Sequence, residues 1–404
     1  MPVPTKPSLL APCSECGEDT PQASFCIRCG VDLGRRYHGL DGLRAFAMLL
    51  GIVLHGAIPY FSYLLEFSHL WPADGDQSWP LFFVFHFIHA WRMPIFFLLA
   101  GFFAHLVLDR RGMKYFLKDR SIRIGLPLVC FAPLIATSMP LIWSYGLTGQ
   151  LTDSTGFKSE IHSESLAHLW FLYYLCLLYP CLIAIRTIFK YLPYNHLMKT
   201  VISSVMYTRI PVMLFILACI LFAIRNQSGE SKPIWPVNIP DLTYLALFFV
   251  YGYGLYHRRS LITRLQEPKL LVGLLFTVLF SYVANVASLA ALDAEPSTRA
   301  KAVFLISYSA LNIGCCLGFI GLFESVLKSY RPIIRWIADS AYWVYLMHLP
   351  VVAVTTFFLA RNVTAPAEIK FLIACLITTS LGFVTYKYLI RTTPIGWMLA
   401  GKRS

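Results

Sequence analysis

Ten long apolar stretches constrain the fold of this chain more than any other feature. The hydrocarbon core of a bilayer is about 30 Å thick, so a helix needs about 20 mostly apolar residues to cross it. Backbone amides find no water in lipid, and a helix satisfies them within one segment. The sequence therefore predicts an all-α integral membrane protein with ten transmembrane helices, at 42–64, 79–108, 121–145, 168–189, 210–225, 240–257, 269–292, 301–327, 333–360 and 366–390.

The composition agrees with a membrane protein and argues against a soluble one that binds nucleic acid. Only 14% of the 404 residues are charged and 57% are hydrophobic, whereas a soluble domain carries about 25% charged residues. The net charge is +13, and the basic residues are concentrated in alternate loops. Because basic loops stay in the cytoplasm, we expect both termini there. We expect a multi-pass membrane protein with no nucleic-acid partner.

Two cysteine pairs precede the first span. The letters CSECG and CIRCG contain Cys13, Cys16, Cys26 and Cys29, with nine residues between the pairs. Four thiolates at this spacing are typical of a closed tetrahedral zinc site, which is structural because it has no open coordination position. Cytoplasmic thiols rarely form disulfides. We therefore predict a zinc ribbon and linker over residues 1–34, with structural zinc, and a transmembrane domain over residues 35–404.

Arg44 and His55 stand at the two ends of one apolar run, RAFAMLLGIVLH, in the first span. Helix geometry places the two side chains about 20° apart on one face and about 16 Å apart along it. Ionisable residues at such depth mark functional sites by default. Asp41 lies one turn before Arg44 and is positioned to pair with it. In the alternative interpretation, Arg44 extends to the headgroups and His55 bonds a neighbouring helix.

The second span carries three further polar residues, His86, His89 and Arg92, spaced three residues apart. Such a face can line a functional site within the membrane, or it can hydrogen-bond between helices. Two histidines could begin a metal site, but the spans show no obvious carboxylate partners, and we do not predict one. His168 and His348 are further candidates, with the alternatives of an interfacial position and a helix bend.

Five stretches occur in an order that resembles the acyltransferase family 3 membrane domain. They lie between residues 35 and 390 and read RYHGLDGLRAFAMLLGIVLH, RMPIFFLLAGFF, KDRSIRIGLP, HLWFLYYL and SAYWVYLMHLP. The resemblance implies an enzyme that moves an acyl group from cytoplasmic acyl-CoA to a hydroxyl of an extracytoplasmic glycan or similar acceptor. Within the family, these motifs are most similar to those of a branch that succinylates glucans. The ten spans and the cytoplasmic termini also match the family.

The resemblance further implies roles for individual residues. His55 corresponds to the catalytic histidine, and Arg44 to a residue that binds the donor or positions that histidine. Arg120, Arg123 and Arg36 would bind the CoA phosphates, for which guanidinium groups are well shaped. The alternative for these arginines is topology alone. The residues that would line the site are Asp41, His86, His89, Arg92, His168, Trp170 and His348.

Three questions stay open at the level of sequence. Other branches of the family carry Glu-Glu-Gln shortly after the tryptophan that corresponds to Trp170, but no glutamate follows it here. The acyl group can be acetyl or succinyl, and Arg92 is the candidate partner of a succinyl carboxylate. The alternative function is a non-catalytic transporter or channel. A permeation path would spread polar residues over many helices, whereas they concentrate here on the first, second and fourth spans, which favours the enzyme.

Overall fold

The computed structural model describes residues 10–12, 19–21, 37–61, 71–151, 166–191, 210–227, 237–258, 260–295 and 297–400. The N-terminal part contributes two short antiparallel strands, β1 (Leu10–Pro12) and β2 (Asp19–Pro21). The zinc ribbon and the domain boundary at residue 34 stay predictions. Four predicted zinc ligands and one predicted donor-binding residue lie outside the described ranges: Cys13, Cys16, Cys26, Cys29 and Arg36.

Helices make up most of the described chain. Short 3₁₀ turns at Ile58–Tyr60 and Ala167–Leu169, and π-helical turns at Ser121–Gly125 and Tyr386–Ile390, adjoin them. The α-helices are α1 (His38–Ala57), α2 (Trp79–Arg120), α3 (Leu126–Thr148), α4 (Trp170–Tyr191), α5 (Ile210–Gln227), α6 (Ile239–His257), α7 (Ser260–Leu265), α8 (Pro268–Ala294), α9 (Thr298–Val326), α10 (Pro332–Asn362), α11 (Ala367–Thr385) and α12 (Pro394–Ala400).

Each of the ten apolar stretches predicted from the sequence coincides with one of these helices. Not every helix is long and apolar enough to cross a membrane, and α5 and α6 do not meet that criterion. The count of ten crossings and the orientation therefore stay predictions. Seven helical stretches of the described chain meet the criterion: His38–Tyr60, Trp79–Thr148, Ala167–Ile188, Pro268–Ala294, Thr298–Val326, Pro332–Asn362 and Ala367–Ile390.

The connection between α2 and α3 consists of helical segments on both sides of a break at Gly112, where the basic residues suggested a loop. α2 continues to Arg120 and passes through the π turn into α3. Gly112, with φ of 74°, is the residue within α2 that departs from helical geometry. Glycine adopts this backbone conformation at little steric cost. The basic stretch therefore places Arg120 and Arg123 on neighbouring helical turns.

α1 lies at the centre of the bundle, where it packs against α2, α9, α10 and α11. The closest approach of two helices is between α2 and α6. A Cβ atom on Gly101 would collide with the carbonyl of Phe249, and one on Gly252 would collide with that of Leu98. Small residues permit such backbone contact within membranes. α8, in contrast, exposes apolar side chains such as Phe280, which suits a helix that faces lipid.

The two ends of the bundle differ in the charged residues that they carry. α1 begins near Asp41 and has His55 in its last turn. We call the end of the bundle that holds Arg44 and Arg120 the basic end. The other end, formed by residues 71–78 and the start of α11, is the loop end.

Candidate active site

His55 lies in the last turn of α1 among aromatic rings from two other parts of the chain. Its ring centroid is 5.3 Å from that of His348 in α10 and 6.0 Å from that of Trp71, which is nearly parallel to it. The Nδ1 atom of His55 is buried and has no hydrogen-bond partner in the described part of the chain. An unsatisfied buried polar atom costs free energy, so its retention points to a role in function.

His348 is almost completely buried, with 1% of its surface exposed. Its Nδ1 lies 2.6 Å from the carbonyl oxygen of Tyr345. A carbonyl only accepts hydrogen bonds, so Nδ1 carries the proton and donates it. In the neutral ring this leaves a lone pair on Nε2, and Nε2 is buried without a partner among the described residues. The ring is therefore held in one orientation with a free proton-accepting nitrogen.

His168 joins the same group from the 3₁₀ turn that precedes α4, with its ring centroid 4.9 Å from that of His348. Its Nε2–H donates to the carbonyl of Leu346 at 3.2 Å, and the Tyr345 hydroxyl donates to the carbonyl of His168 at 2.7 Å. Ala167 has a φ of 43°. This conformation costs a non-glycine residue about 1–3 kcal/mol and is found mainly at functional sites.

Arg92 of α2 brings a positive charge beside these rings. It is 5% exposed, and its Nε–H donates to the carbonyl of Ala47 at 3.0 Å. None of the ion pairs among the described residues includes it. A Cβ atom at Gly51 would lie 2.5 Å from Nη2 of Arg92 and 3.0 Å from Nε2 of His348, so glycine is needed for their approach to α1. The residues that we call the histidine cluster are His55, Arg92, His168 and His348.

Trp71 packs against the histidine cluster and was not among the residues predicted from the sequence. Its ring lies 4.7 Å from that of Trp143 in a T-shaped arrangement, on the loop side of His55. Its Nε1–H is buried without a partner in the described chain. In the sequence it is only a tryptophan between two apolar stretches, and no local pattern brings it to His55. The contact depends on how the loop returns across the bundle.

A buried ion pair fixes the loop that carries Trp71. Nζ of Lys370, at the start of α11, is 2.8 Å from Oδ1 of Asp74 and 3.2 Å from Oδ2 of Asp76. The Asp74 N–H also donates to the carbonyl of Pro59 at 2.9 Å. These bonds connect the loop at residues 71–78 to the end of α1 and to α11. No pattern in the sequence singled out this pair either.

Arg44 lies at the basic end and does not contact the histidine cluster. The ion pair predicted from the sequence is present, with Nη2 of Arg44 3.4 Å from Oδ1 of Asp41. Its guanidinium also lies over the ring of Phe103, 5.6 Å from the centroid. Arg335 of α10 approaches the same aspartate at 3.9 Å and pairs with Asp339 at 2.9 Å. Arg335 was not among the site residues predicted from the sequence, and the fold brings it to the aspartate that pairs with Arg44.

Arg120 and Arg123 occupy the same end. Arg120 donates to the carbonyl of Phe103 at 3.4 Å and lies near the Tyr179 ring, so it shares Phe103 with Arg44. Its Nε is buried and without a partner in the described residues. Arg123 is paired with Asp119 at 3.1 Å. The structure thus brings three of the five arginines predicted to act at the site to one end of the bundle.

Three other predicted site residues lie beside the histidine cluster rather than in it. The His86 ring contacts Tyr282 of α8 at 5.7 Å, and the His89 ring stacks on Phe85 at 5.2 Å. The Trp170 ring lies 5.2 Å from Tyr174 in α4. Among the described residues, no group of three or more histidine, cysteine or acidic side chains is arranged to hold a metal ion. The polar residues on α2 therefore divide, with Arg92 inside the cluster and His86 directed toward α8.

The amino-acid sequence that forms this site can be compared with those of known proteins. Residues 37–387 match the family model described as the acyltransferase domain. The glucans biosynthesis protein C of Salmonella paratyphi B is 23% identical over 381 residues, which covers 91% of this chain and 95% of that protein. The proteins of the same name from Salmonella schwarzengrund and Salmonella dublin match equally well. No solved structure matches the chain.

The family match covers most of the chain, including the histidine cluster and the described arginines of the basic end. It decides between the two functions that the sequence left open, because the alternative was a non-catalytic transporter or channel. The name of the relatives is in keeping with the resemblance to a branch that acts on glucans. The chain belongs to the acyltransferase domain family and is a multi-pass membrane acyltransferase.

Proposed function

We propose that this enzyme transfers an acetyl or succinyl group from cytoplasmic acyl-CoA to a hydroxyl of a glycan or similar acceptor on the other side of the membrane. Both termini would be cytoplasmic, which places the basic end on the cytoplasmic side of a bacterial inner membrane. The observation that carries the proposal is the histidine cluster itself. It combines unpaired ring nitrogens with a cation that no described carboxylate neutralises.

In this proposal His55 is the general base. It would take the proton of the acceptor hydroxyl as the oxygen attacks the thioester carbonyl, a contribution typically worth 10²–10⁴ in rate. Negative charge then develops on the carbonyl oxygen. The guanidinium of Arg92 is available to stabilise that charge because it has no described carboxylate partner, and preorganised donors of this kind contribute strongly to catalysis. With a succinyl donor, the distal carboxylate is a second anion that Arg92 could bind.

The donor would enter at the basic end. Arg44 and Arg120 converge on Phe103, and Arg123 and Arg36 would add positive charge for the CoA phosphates. Arginine suits this task because its planar fork matches phosphate oxygens. Arg44 then acts as a donor-binding residue and not as a direct partner of His55. The acceptor would enter from the loop end, past Trp71 and His168.

We also propose that the N-terminal cysteines bind one structural zinc ion. Metal analysis of the purified protein is expected to show about one zinc per chain, held by four thiolates. The double variant Cys13→Ser and Cys16→Ser loses it, whereas Cys130→Ser, at an exposed cysteine in α3, keeps it. A protein without zinc, or one whose four N-terminal cysteines form disulfides, contradicts this proposal.

The transfer reaction can be tested even though the acceptor is unidentified. Glycans and lipids from a strain that lacks the gene are compared by mass spectrometry with those from strains that carry the wild-type gene or the His55→Gln variant. The wild-type gene is expected to restore the mass of one acetyl or succinyl group on a carbohydrate, and His55→Gln is not. The matched control is His257→Gln, because His257 is an exposed histidine at the end of α6.

The outcomes separate the parts of the proposal. If the wild-type gene adds no acyl group to any glycan or lipid, the proposed function is wrong. If His55→Gln reaches the membrane in normal amount and restores the product fully, the enzyme uses another base. The mass of the restored group distinguishes acetyl from succinyl.

A further inference from the structure

We propose that His348 is a second catalytic residue, which receives the proton from His55 and delivers it to the departing sulfur of the donor. This inference rests on the proposed function, because it names the proton's route within the same transfer. Its structural basis is the fixed orientation of the His348 ring. With Nδ1–H bound to the Tyr345 carbonyl, Nε2 is the nitrogen that accepts a proton, and it faces no other described partner.

The two imidazoles stand at different heights along α1. His55 contacts Trp71, on the side of the loop end. Nε2 of His348 lies beside Gly51, about one helical turn before His55 and therefore toward the basic end. An acceptor that enters from the loop end meets His55 first. A thioester that enters from the basic end brings its sulfur to the level of His348.

The rings are close enough for a proton to pass between them. Their centroids are 5.3 Å apart with an angle of 44° between the planes. Nδ1 of His55 and Nε2 of His348 are each without a partner among the described residues, and rotation of the His55 ring brings these nitrogens toward hydrogen-bond distance. When His348 is protonated, the Tyr345 carbonyl continues to accept Nδ1–H and stabilises the imidazolium. The same backbone contact therefore serves both protonation states.

The step balances without any further reactant. The hydroxyl O–H bond breaks and its proton moves to His55, while the oxygen forms a bond to the carbonyl carbon. The carbon–sulfur bond then breaks, and its electron pair leaves on sulfur. His55 returns to its neutral form by passing the proton to His348. Nε2–H of His348 protonates the sulfur, so the products are the acylated acceptor and free CoA thiol.

The test uses the full-length protein in proteoliposomes, with the unacylated glycan fraction of the deletion strain as acceptor. The donors are acetyl-CoA or succinyl-CoA, as the product mass dictates, and the analogue in which oxygen replaces the thioester sulfur. An alkoxide is a far poorer leaving group than a thiolate and depends more on a general acid. His348→Gln is expected to lower kcat for the thioester about 100-fold with little change in KM, since general acid–base catalysis is worth about 10²–10⁴.

The comparison of donors separates catalysis from packing. The kcat loss of His348→Gln is expected to be at least about tenfold larger for the oxygen ester than for the thioester. His168→Gln is the matched variant, because His168 is also buried and bonded to a backbone carbonyl, and its loss is expected to be equal for both donors. Equal losses for His348→Gln on both donors, an effect on KM alone, or no loss would overturn the inference. The proposed function survives each of these outcomes if wild type transfers and His55→Gln does not.

A second measurement needs no variant. The kcat of the wild-type enzyme is measured in mixtures of H₂O and D₂O. Each transfer moves one exchangeable proton, so kcat is expected to fall as the deuterium fraction rises. A kcat that does not depend on the deuterium fraction overturns the relay even if His348→Gln does not fold.

Discussion

Two buried cations in this protein have opposite surroundings. Lys370 is 3% exposed and pairs with Asp74, which is 2% exposed, at 2.8 Å. Arg92 is 5% exposed, yet within the described chain its polar contact is a single carbonyl, that of Ala47. The first charge is neutralised by the protein itself. The second lacks an anion, and it stands beside three histidines with free ring nitrogens.

The difference teaches how structural and functional charges can be told apart in a membrane enzyme. A buried pair is strongly destabilised when one partner is removed, because the other charge is left without compensation. A buried cation without a counter-ion is costly as it stands, so replacing it with an apolar side chain need not destabilise the fold. Such a cation is retained for what it does to a ligand. Substitution of Lys370 should therefore lower the stability of the fold, whereas substitution of Arg92 should lower the rate of acyl transfer.

The largest expected effect is on the stability of the loop end. Lys370→Met leaves Asp74 buried and unpaired, and we expect it to lower the free energy of unfolding by about 3–5 kcal/mol. Thermal unfolding in detergent measures the change. The double variant Lys370→Met with Asp74→Asn removes both charges and is expected to regain most of the loss. Unfolding of Lys370→Met at the wild-type temperature would show that the pair contributes nothing.

Arg92 should show the reverse behaviour. Arg92→Met removes a donor aimed at developing negative charge, and we expect kcat to fall about 10²–10³-fold. Its unfolding temperature should stay near that of wild type, since no carboxylate among the described residues loses its partner. The two measurements are acyl transfer per folded molecule and thermal unfolding. If Arg92→Met unfolds as early as Lys370→Met but transfers normally, the cation is structural and the contrast is lost.

A smaller effect, on the binding of acyl-CoA, is expected from a substitution at the basic end. Arg120 has a buried Nε without a described partner, and its contact with Asp119, at 3.9 Å, is longer than that of Arg123, at 3.1 Å. Its guanidinium is therefore the more available of the two for a CoA phosphate. Arg120→Ala is expected to raise KM for acyl-CoA about tenfold to a hundredfold with kcat retained, because a charge-assisted hydrogen bond is worth about 1.5–3 kcal/mol. Initial rates over a range of acyl-CoA concentrations measure this. An unchanged KM assigns Arg120 to topology.

Arg123 should show the smallest effect, although the sequence suggested the same role for both arginines. Its guanidinium is 37% exposed and already paired with Asp119 at 3.1 Å. Exposed pairs of this kind contribute about 0–1 kcal/mol, so we expect Arg123→Ala to raise KM by less than about fivefold. The same titration with acyl-CoA tests it. A rise as large as that for Arg120→Ala would mean that the donor displaces Asp119.

Prediction from the sequence was most successful where one segment is sufficient. Apolar stretches of membrane length became helices because lipid leaves the backbone no other partner than itself. The ion pair of Asp41 with Arg44 depends on positions three residues apart in one helix, and helix geometry sets that contact. The position of His55 on α1 could be predicted for the same reason.

Contacts between distant segments could not be predicted in this way. The sequence offered His168 and His348 as separate candidates, but only the hydrogen bonds of the 3₁₀ turn Ala167–Leu169 to α10 put their rings 4.9 Å apart. Trp71 lies in a loop, and its place beside His55 depends on an ion pair between residues 296 positions apart. Periodicity describes which face of a helix is polar, and it does not say which other helix that face meets.

The sequence by itself therefore determined the solvent of this protein, the positions of its helices, its family resemblance and the ionisable residues worth attention. The tertiary structure decided which of those residues share a site. It separated Arg44 from His55 and His86 from Arg92, and it brought His348 to His55. The physical reason is that helix formation in lipid is satisfied by hydrogen bonds within a segment. The choice of neighbours depends instead on close packing between segments, such as the approach that Gly51 permits.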